Sequence, residues 1–294
     1  MDTINSQPLV VICGPTASGK SEIAMHLARQ KNGEIICADS RTIYKYMDIG
    51  TAKPSLQDQR EVPHHLLDIV EPGQRFTVVD FKSRALGVIA DMRKRGKLPI
   101  LVGGTGLYID SIIYDYQFES EFSVEQRSQF GSMTLAHLHV YCKKHTIELP
   151  ENRMNKRHVI NAILRGGSQS TALEEPIGNT ILVAVKTDKE LLRARIKDRA
   201  EHIFSSGVVE EAKKLGKMYG WDNEAMTGNI YPLVHQYLEG NLTLKQIKEQ
   251  FITLDWRLAK RQLTWLRRNK HLIWIEQKDV LKYVFNRLEK NEQK

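Results

Sequence analysis

The sequence predicts an α/β fold, in which a parallel sheet is flanked by helices and carries a small helical insertion domain. Short continuous apolar runs, typical of fully buried strands, alternate with segments whose apolar residues recur at helical spacing. The first apolar run leads through a glycine-rich turn into a helical segment. Polar and charged residues dominate positions 115–167, and the apolar runs resume only afterwards. We therefore expect an insertion between two parts of one sheet.

The glycine-rich turn is a phosphate-binding motif. It follows the apolar run LVVIC and reads GPTASGKS. Its glycines allow backbone N–H groups to close around phosphate oxygens, Lys20 adds a positive charge, and the Ser21 hydroxyl lies where a phosphate-bound Mg²⁺ would sit. The motif predicts a P-loop NTPase-like sheet that binds a diphosphate or a triphosphate, including nucleotides such as ATP. The predicted phosphate contacts are Gly14, Pro15, Thr16, Ala17, Ser18, Gly19, Lys20 and Ser21.

A carboxylate ends the second predicted strand. The run GEIICA at 33–38 is followed directly by Asp39. Ligands of open α/β sheets bind beyond the carboxyl ends of the strands, so we expect Asp39 to face the phosphate held by the first loop. There it could bind Mg²⁺ through water, accept a proton from a substrate, or only cap the next helix.

The following residues, 40–54, read SRTIYKYMDIGTAKP and show no clean periodicity. They mix basic, aromatic and hydroxyl side chains. Arg and Lys bind phosphates, and Tyr stacks on bases. We therefore expect this segment to contact a nucleic acid rather than to pack in the core.

A third buried strand, LPILV at 98–102, leads into the glycine-rich sequence GGTGLY. In nucleoside triphosphatases an aspartate that positions magnesium ends such a strand. Glycines and Thr105 stand here instead, which argues against simple nucleotide hydrolysis. The glycines allow a ligand to approach the backbone closely, and Thr105 offers a neutral hydroxyl.

The sheet resumes with the apolar run ILVAV at 181–185, and a long segment at 189–215 follows with helical spacing. A helix that starts near the carboxyl end of a strand can bring an arginine to the phosphate site. Arg199 is our candidate, acting as a clamp on developing phosphate charge. The alternative is a surface arginine paired with a neighbour such as Asp198.

These patterns divide the chain into two domains. Residues 1–114 and 178–294 are predicted to form the α/β core together with C-terminal basic helices. Residues 115–177 are predicted to form the mostly helical insertion domain.

The positive charge is concentrated near the C-terminus. The formal net charge is +8, and positions 241–294 hold thirteen Lys and Arg against six Asp and Glu. A basic face attracts a polyphosphate backbone, so we expect a nucleic acid partner that Arg261 and Arg267 contact. The alternative is a solvated helix face. The helix itself is predicted to dock through an apolar stripe made up of Leu244, Ile247, Phe251, Leu254 and Leu258.

The N-terminal sequence, the lengths of the apolar runs and the cysteines indicate in which compartment to expect the protein. The N-terminus lacks the basic and apolar regions of a secretory signal, and no apolar run reaches the length needed to span a membrane. Cys13, Cys37 and Cys142 are scattered and lack metal-ligand spacing. We expect a cytoplasmic protein with reduced thiols and no membrane partner. A monomer is expected because no long apolar surface stripe remains unassigned.

Several separate stretches resemble one family, the tRNA dimethylallyltransferases, also called tRNA isopentenyltransferases. The matching stretches are spread from one end of the chain to the other. They are GPTASGKS at 14–21, ADSRTIYKYMDIGTAKP at 38–54, VPHHLLDI at 62–69, GGTGLY at 103–108, RIKDR at 195–199 and LAKRQLTWLR at 258–267.

This resemblance implies transfer of a dimethylallyl group from dimethylallyl diphosphate to N6 of adenosine 37, in the anticodon stem-loop of tRNA, with Mg²⁺ as cofactor. Lys20, Arg199 and a Mg²⁺ near Ser21 would stabilise the leaving diphosphate. Asp39 would act as the general base, with Thr105 near the acceptor and the diphosphate. The tRNA contacts implied by the resemblance or by charge are Asp39, Ser40, Arg41, Thr42, Thr105, Arg127, Arg157, Arg261 and Arg267.

Two other functions share part of this pattern. A small-molecule kinase would use the same phosphate-binding loop and consume ATP. A non-catalytic tRNA-binding paralogue would use the same basic surfaces. Lys20, Ser21, Asp39 and Thr105 are all present, which favours an enzyme, because binding alone would not require them.

Overall fold

The computed structural model describes residues 7–118, 124–150, 152–164 and 172–292. The chain divides into two compact units. One unit combines Met1–Ile113 with Glu175–Lys294, and the other is Tyr114–Glu174. The first contains a parallel sheet with helices packed against it, and the second is helical. The predicted α/β fold class is therefore confirmed.

The sheet of the first unit has the order β3-β2-β4-β1-β5-β6, and every pair of neighbouring strands is parallel. Its strands are β1 (Leu9–Cys13), β2 (Gly33–Ala38), β3 (His64–His65), β4 (Leu98–Gly103), β5 (Thr180–Lys186) and β6 (Ile273–Glu276). All residues of β1, β2 and β4 are buried, which explains why these strands are mostly apolar in sequence. Glu34 of β2 is the exception, and it forms an ion pair with Arg95.

The register places the ends of three strands side by side. Gly103, the last residue of β4, lies opposite Cys13 of β1 and Ala38 of β2. The segments that follow these strands therefore leave the same edge of the sheet. They are the phosphate-binding motif, the Asp39 segment and the GGTGLY segment, so the topology brings the three motifs of the sequence together.

The helices of the first unit are α1 (Lys20–Gln30), α2 (Leu56–Glu61), α3 (Val78–Lys94), α4 (Gly106–Ile113), α8 (Lys189–Ser205), α9 (Val208–Tyr219), α10 (Tyr231–Leu238), α11 (Leu244–Leu266) and α12 (Val280–Glu292). Helix α1 covers the sheet with Ile23, Leu27 and Ala28, which join the strands in one apolar core. Leu27 is fully buried, so replacing it with Ala would cost about 2–5 kcal/mol of stability.

The helical unit contains α5 (Val124–Ser132), α6 (Leu135–Lys144) and α7 (Lys156–Leu164). It has an apolar cluster of its own, in which Leu138 and Cys142 of α6 are buried with Val159 and Ile163 of α7. Thr134 caps α6 by accepting a hydrogen bond from the backbone N–H of His137. Helices are therefore present within positions 115–177, where the sequence predicts a mostly helical insertion.

The segment at 189–215, which shows one helical pattern in sequence, forms two helices instead. Helix α8 ends at Ser205, and Gly207 precedes α9 with a φ of 97°, a left-handed conformation that favours glycine. Strand β6 and helix α12 are not among the predicted elements, although Val280, Val284 and Leu288 of α12 recur at helical spacing and are buried. Two residues of β6 are exposed and two are partly buried, so the strand lacks a long apolar run.

Helix α11 docks through a different stripe from the predicted one. Ile247 and Phe251 are buried as expected, but Leu244 is 46% exposed. Asp255 and Ala259 continue the buried stripe. A buried carboxylate on this face requires a partner, which lies in the site described below.

Among the described residues, no helix combines the length and the apolar character required to cross a membrane.

Candidate active site

The phosphate-binding loop presents a helix N-terminus that no side chain caps. Gly19 precedes α1 with a φ of 85°, a conformation that a residue with a side chain rarely adopts. The Ser18 hydroxyl is buried and has no hydrogen-bond partner among the described residues. The uncapped N–H groups and the positive end of the helix dipole suit this terminus to an anion.

Lys20 lies over this loop, where its ammonium group donates to the carbonyl of Pro15 at 3.1 Å. The pKa of Lys20 is lowered to about 8, mainly because the group is buried. The negative charge of Asp39 opposes this shift, and the positive charge of Arg199 adds to it. The three charged groups therefore lie close enough to influence one another. An anion between the two cations would relieve their repulsion.

Asp39 ends β2 and organises the turn that follows. Its Oδ1 atom accepts hydrogen bonds from the backbone N–H groups of Arg41 at 2.8 Å and Thr42 at 3.4 Å. These bonds fix the direction of the carboxylate and leave its other oxygen, Oδ2, without a hydrogen bond to the described residues. The arrangement combines two of the roles that the sequence left open, because a turn-forming carboxylate can still accept a proton.

Thr105 lies beside this turn, where its hydroxyl oxygen accepts a hydrogen bond from the backbone N–H of Ser40 at 3.2 Å. The Thr105 N–H donates to the carbonyl of Ala38 at 3.3 Å. A Cβ atom at Gly103 would lie 2.0 Å from the same carbonyl oxygen. The glycine therefore allows the ends of β2 and β4 to approach closely enough for Thr105 to reach the Asp39 turn.

Arg199 reaches the site from α8 and pairs with a distant residue. Its guanidinium forms an ion pair with Asp255 on α11 and donates to the carbonyl of Thr51 at 3.2 Å. The alternative considered from sequence, a surface pair with Asp198, is wrong. Arg199 is only partly exposed, at 23% of its side chain.

One cavity of about 150 Å³ brings the charged groups together. Its lining residues are Thr16, Ala17, Lys20, Ser21, Ala24, Ile35, Cys37, Asp39, Thr42, Thr51, Ala52, Pro54, His64, Val102, Gly103 and Arg199. The cavity thus has a charged part and an apolar part. Among the predicted residues, Gly14, Pro15, Ser18, Gly19, Ser40, Arg41 and Thr105 are not in this lining.

Thiol chemistry is not favoured here. Burial raises the pKa of Cys37 to about 12, so this thiol stays protonated near neutral pH. The protonated thiol of Cys37 and the apolar side chains of Ala24, Ile35 and Val102 form the apolar part of the cavity lining. This part offers a packing surface for a hydrocarbon group.

The oxygen atoms of the site fit a magnesium ion. Ser21 supplies a hydroxyl and Asp39 a carboxylate to the same cavity. In the part of the chain that the structure describes, no group of three or more His, Cys, Asp or Glu residues could hold a metal. Mg²⁺ bound to a substrate phosphate needs only one or two protein oxygens, so this donor set suits such an ion.

Comparisons with known proteins identify the family. Residues 42–269 match the family model described as IPP transferase. The chain belongs to the IPP transferase family. A tRNA dimethylallyltransferase of Anoxybacillus flavithermus is 39% identical in an alignment of 285 positions that covers 93% of this chain and 91% of the relative. The corresponding enzyme of Bacillus subtilis is 33% identical and covers 96% of this chain and 98% of its own length.

A solved structure agrees with the sequence comparisons. The tRNA isopentenylpyrophosphate transferase of Bacillus halodurans superposes with a TM-score of 0.75 and is 31% identical, covering 98% of each chain. The IPP transferase assignment therefore extends over almost the whole chain.

Three polar residues that support this IPP transferase site were not predicted from sequence. Glu211 on α9 accepts hydrogen bonds from three successive backbone N–H groups, those of Asp48 at 2.8 Å, Ile49 at 2.6 Å and Gly50 at 2.9 Å. Its carboxylate therefore fixes the segment that follows the Asp39 turn. No spacing signal in the sequence relates position 211 to positions 48–50.

The other two are on α11. Asp255 pairs with Arg199, and Gln262 accepts a hydrogen bond from the backbone N–H of Thr16 at 2.8 Å. A Cβ atom at Gly104 would lie 2.3 Å from Gln262 Nε2, so this glycine leaves space for the glutamine. Gln262 lies in the matching stretch LAKRQLTWLR, but only the fold reveals that its side chain reaches the phosphate-binding loop.

The segment at 40–54 is more buried than expected. Ile43, Tyr44 and Met47 are each at most 2% exposed, so the prediction that the segment avoids the core is wrong for these residues. Lack of periodicity hid them, because the chain here turns repeatedly and does not follow one helix or strand. Tyr46 is 49% exposed and stacks against Tyr219.

The predicted RNA contacts occupy different environments. Arg41 donates to the carbonyl of Glu224 at 2.8 Å, and Thr42 is only 7% exposed and lines the cavity. Arg261 and Arg267 are exposed, one on α11 and the other just after it. The side chains of Arg127 and Arg157 lie outside the described residues.

Proposed function

We propose that this chain transfers the dimethylallyl group of dimethylallyl diphosphate to N6 of adenosine 37 in tRNA. The observation that carries the proposal is the composition of one cavity: Lys20 and Arg199 line it together with Asp39 and an apolar part. Membership of the IPP transferase family supports the same reaction. The allylic C–O bond breaks, a C–N bond forms, and diphosphate leaves.

The cationic part of the cavity suits the leaving group. The uncapped N-terminus of α1, Lys20 and Arg199 are placed to stabilise charge that grows on the bridging oxygen when the allylic bond breaks. The electron pair of that bond goes to the diphosphate. We assign the phosphate-binding role to residues 14–21.

Asp39 is the proposed proton acceptor. The exocyclic amine of adenine must lose one proton after it attacks the allylic carbon, and a carboxylate whose direction is fixed by backbone bonds can take it. Thr105 holds the turn through Ser40 and is proposed to contact the acceptor. The adenine would enter after leaving its stack in the anticodon loop, as is usual for enzymes that modify a base.

Mg²⁺ is the proposed cofactor. Ser21 would hold it through its hydroxyl together with bound water, and the ion would supply charge neutralisation to the diphosphate. The chemistry of these hard oxygen donors supports this choice over a softer metal.

The proposed partner is the anticodon stem-loop of tRNA. Arg261 and Arg267 offer exposed positive charge, and we assign phosphate contacts to both. Ser40, Arg41 and Thr42 are proposed to lie near the target base, and Arg127 and Arg157 are proposed as further RNA contacts. We propose that the helical unit corresponds to the predicted insertion domain, 115–177, and that the protein acts as a cytoplasmic monomer.

Asp39→Asn tests this proposal with little change in structure. An asparagine keeps the Oδ1 acceptor for Arg41 and Thr42 but cannot take a proton near neutral pH. We expect single-turnover transfer of labelled dimethylallyl to unmodified tRNA to fall about 10²–10⁴-fold. Binding of tRNA, measured by filter retention, should change less than about 2-fold.

Two further arms separate this function from its alternatives. ATP in place of dimethylallyl diphosphate should give no labelled product and no hydrolysis above background. Wild-type protein that binds tRNA but transfers no dimethylallyl group would contradict the proposal and favour a non-catalytic paralogue. Undiminished transfer by Asp39→Asn would remove Asp39 from the base role.

A further inference from the structure

Arg199 is held in a polar network that joins parts of the chain far apart in sequence. Its Nη1 atom donates to Asp255 Oδ2, and its Nη2 atom donates to the carbonyl of Thr51 at 3.2 Å. Asn229 Nδ2 donates to the other oxygen of Asp255, Oδ1, at 2.9 Å. Both oxygens of the carboxylate are therefore engaged, which fixes its plane as well as its position.

This network leaves part of the guanidinium available to a ligand. An arginine has five N–H donors, and two of those on Arg199 bond to the protein in the part of the chain that the structure describes. Arg199 also lines the cavity that contains Lys20 and Asp39. The remaining donors are suited to phosphate oxygens.

Asp255 itself is not part of the cavity lining. Its side chain is only 4% exposed. Removing a carboxylate from water costs several kcal/mol, and an ion pair with good geometry and further hydrogen bonds is needed to offset that cost. The position of this acid on the buried stripe of α11 therefore requires an explanation.

Docking of α8 against α11 does not explain why Asp255 is buried. Helices α8 and α11 already pack through an apolar cluster that includes Leu192, Ile196 and Ala259. A second ion pair between the same helices, Lys248 with Glu201, lies near the surface. The pair at Arg199 differs because it alone, of these two, adjoins the cavity.

Attraction for phosphate does not explain it either, because a carboxylate beside a cation weakens the field that the cation exerts on an anion. The benefit of burying Asp255 beside Arg199 must then be geometric, because the carboxylate holds the guanidinium in one position. A free arginine side chain samples many rotamers, and a fixed one binds without that entropic cost.

We propose that Asp255, oriented by Asn229, is a positioning residue that fixes the Arg199 guanidinium at the phosphate end of the cavity before substrate binds. The inference rests on the proposed function, since it takes the diphosphate of the substrate as the anion. Asp255 acts only through Arg199, so its effect should disappear when Arg199 is absent.

A double-mutant cycle tests this dependence. Arg199→Ala, Asp255→Ala and the double variant are compared with wild type by calorimetric binding of inorganic diphosphate with Mg²⁺, and by kcat and KM for dimethylallyl diphosphate. Asp255→Ala should weaken diphosphate binding and raise KM by about 10-fold in the wild-type background. In the Arg199→Ala background it should change both by less than about 2-fold.

Lys248→Ala is the matched control, because it breaks the other ion pair between the same helices. It should leave diphosphate binding and KM within about 2-fold of wild type. An equal loss from Asp255→Ala in both backgrounds, or no loss in either, would overturn the proposal and leave Asp255 with a structural role only.

Asn229→Ala keeps the test informative if Asp255→Ala does not fold. It removes only the donor that orients the carboxylate, and it should weaken diphosphate binding by about 3-fold when Arg199 is present and not when Arg199 is absent. The same loss in both backgrounds would again contradict the proposal. The binding measurement needs no tRNA, so a wild-type protein without transferase activity would refute the proposed function separately.

Discussion

The two walls of the cavity are built in different ways. One wall belongs to the loop at residues 14–21, which lines the cavity with Thr16, Ala17, Lys20 and Ser21 and is shaped by its own glycines and by the start of α1. The other wall combines the Asp39 segment with Arg199, and remote side chains such as Glu211 and Asp255 hold it in place. The first wall should therefore lose function mainly through changes within it. The second should also lose function through changes at residues that never touch the substrate.

Apart from Asp39→Asn, the largest loss is expected in the first wall, on changing Lys20→Met. The change removes the cation nearest the loop, and kcat/KM for dimethylallyl diphosphate should fall about 10²–10³-fold. The lowered pKa of Lys20, about 8, adds a pH test. The ammonium is charged below this pKa and neutral above it, so wild-type kcat/KM should decline as pH rises through about 8.

Lys94→Met is the control for this prediction, because Lys94 is exposed at the end of α3. It should keep wild-type activity and the wild-type pH profile. A high-pH decline that persists unchanged in Lys20→Met would assign that decline to another group.

The next largest effect is expected from the second wall, on changing Glu211→Gln. The neutral amide has one acceptor oxygen and cannot satisfy the three N–H groups that the carboxylate binds. The segment around Gly50 should loosen, with kcat/KM about 10-fold lower and a reduced melting temperature. Glu210→Gln, at the exposed neighbouring position, should show neither change. Equal behaviour of the two variants would mean that Glu211 does not hold this wall.

A smaller effect is expected from Gln262, a remote residue that contacts the first wall. Gln262→Ala removes the side chain that accepts the Thr16 N–H, and KM for dimethylallyl diphosphate should rise about 3–5-fold with kcat little changed. Gln250→Ala, on an exposed part of the same helix, serves as the control. A fall in kcat without a rise in KM would argue that Gln262 affects the chemical step instead of the shape of the loop.

The smallest effect per residue is expected outside both walls. Arg261→Gln and Arg267→Gln should each weaken tRNA binding about 2–5-fold and reduce the slope of log affinity against log salt by about 0.7–0.9. KM for dimethylallyl diphosphate should stay constant, which separates RNA contacts from the cavity. Lys245→Gln, exposed at the start of α11, is the comparison. A salt slope that does not change would show that neither arginine contacts a phosphate.

The same difference between the walls explains what the sequence could predict. The first wall and its strands are local features, because a buried strand, a glycine turn and a helix start are all encoded by adjacent residues. The parallel direction of the strands places Asp39 and Thr105 at the edge that carries the phosphate-binding loop.

The residues that hold the second wall in place could not be predicted from the local sequence. Glu211 and Asp255 are polar residues on amphipathic helices, and their partners are 161 and 56 residues away. Helical spacing indicates which positions share a face, but the docking angle decides which polar side chain becomes buried. Ile43, Tyr44 and Met47 show the same limit, since their burial depends on turns that no periodic pattern records.

The Glu211 contact has a consequence for how this family can vary. Glu211 also accepts a hydrogen bond from the Tyr231 hydroxyl at 3.0 Å, but within the segment at 48–50 it binds main-chain amides. Positions 48 and 49 can therefore change identity without losing this anchor. Gly50 is the exception, because a Cβ atom there would lie 2.6 Å from the Tyr231 hydroxyl oxygen. The side chains on the outer surface of this segment can therefore vary, while its main chain keeps one path after the Asp39 turn.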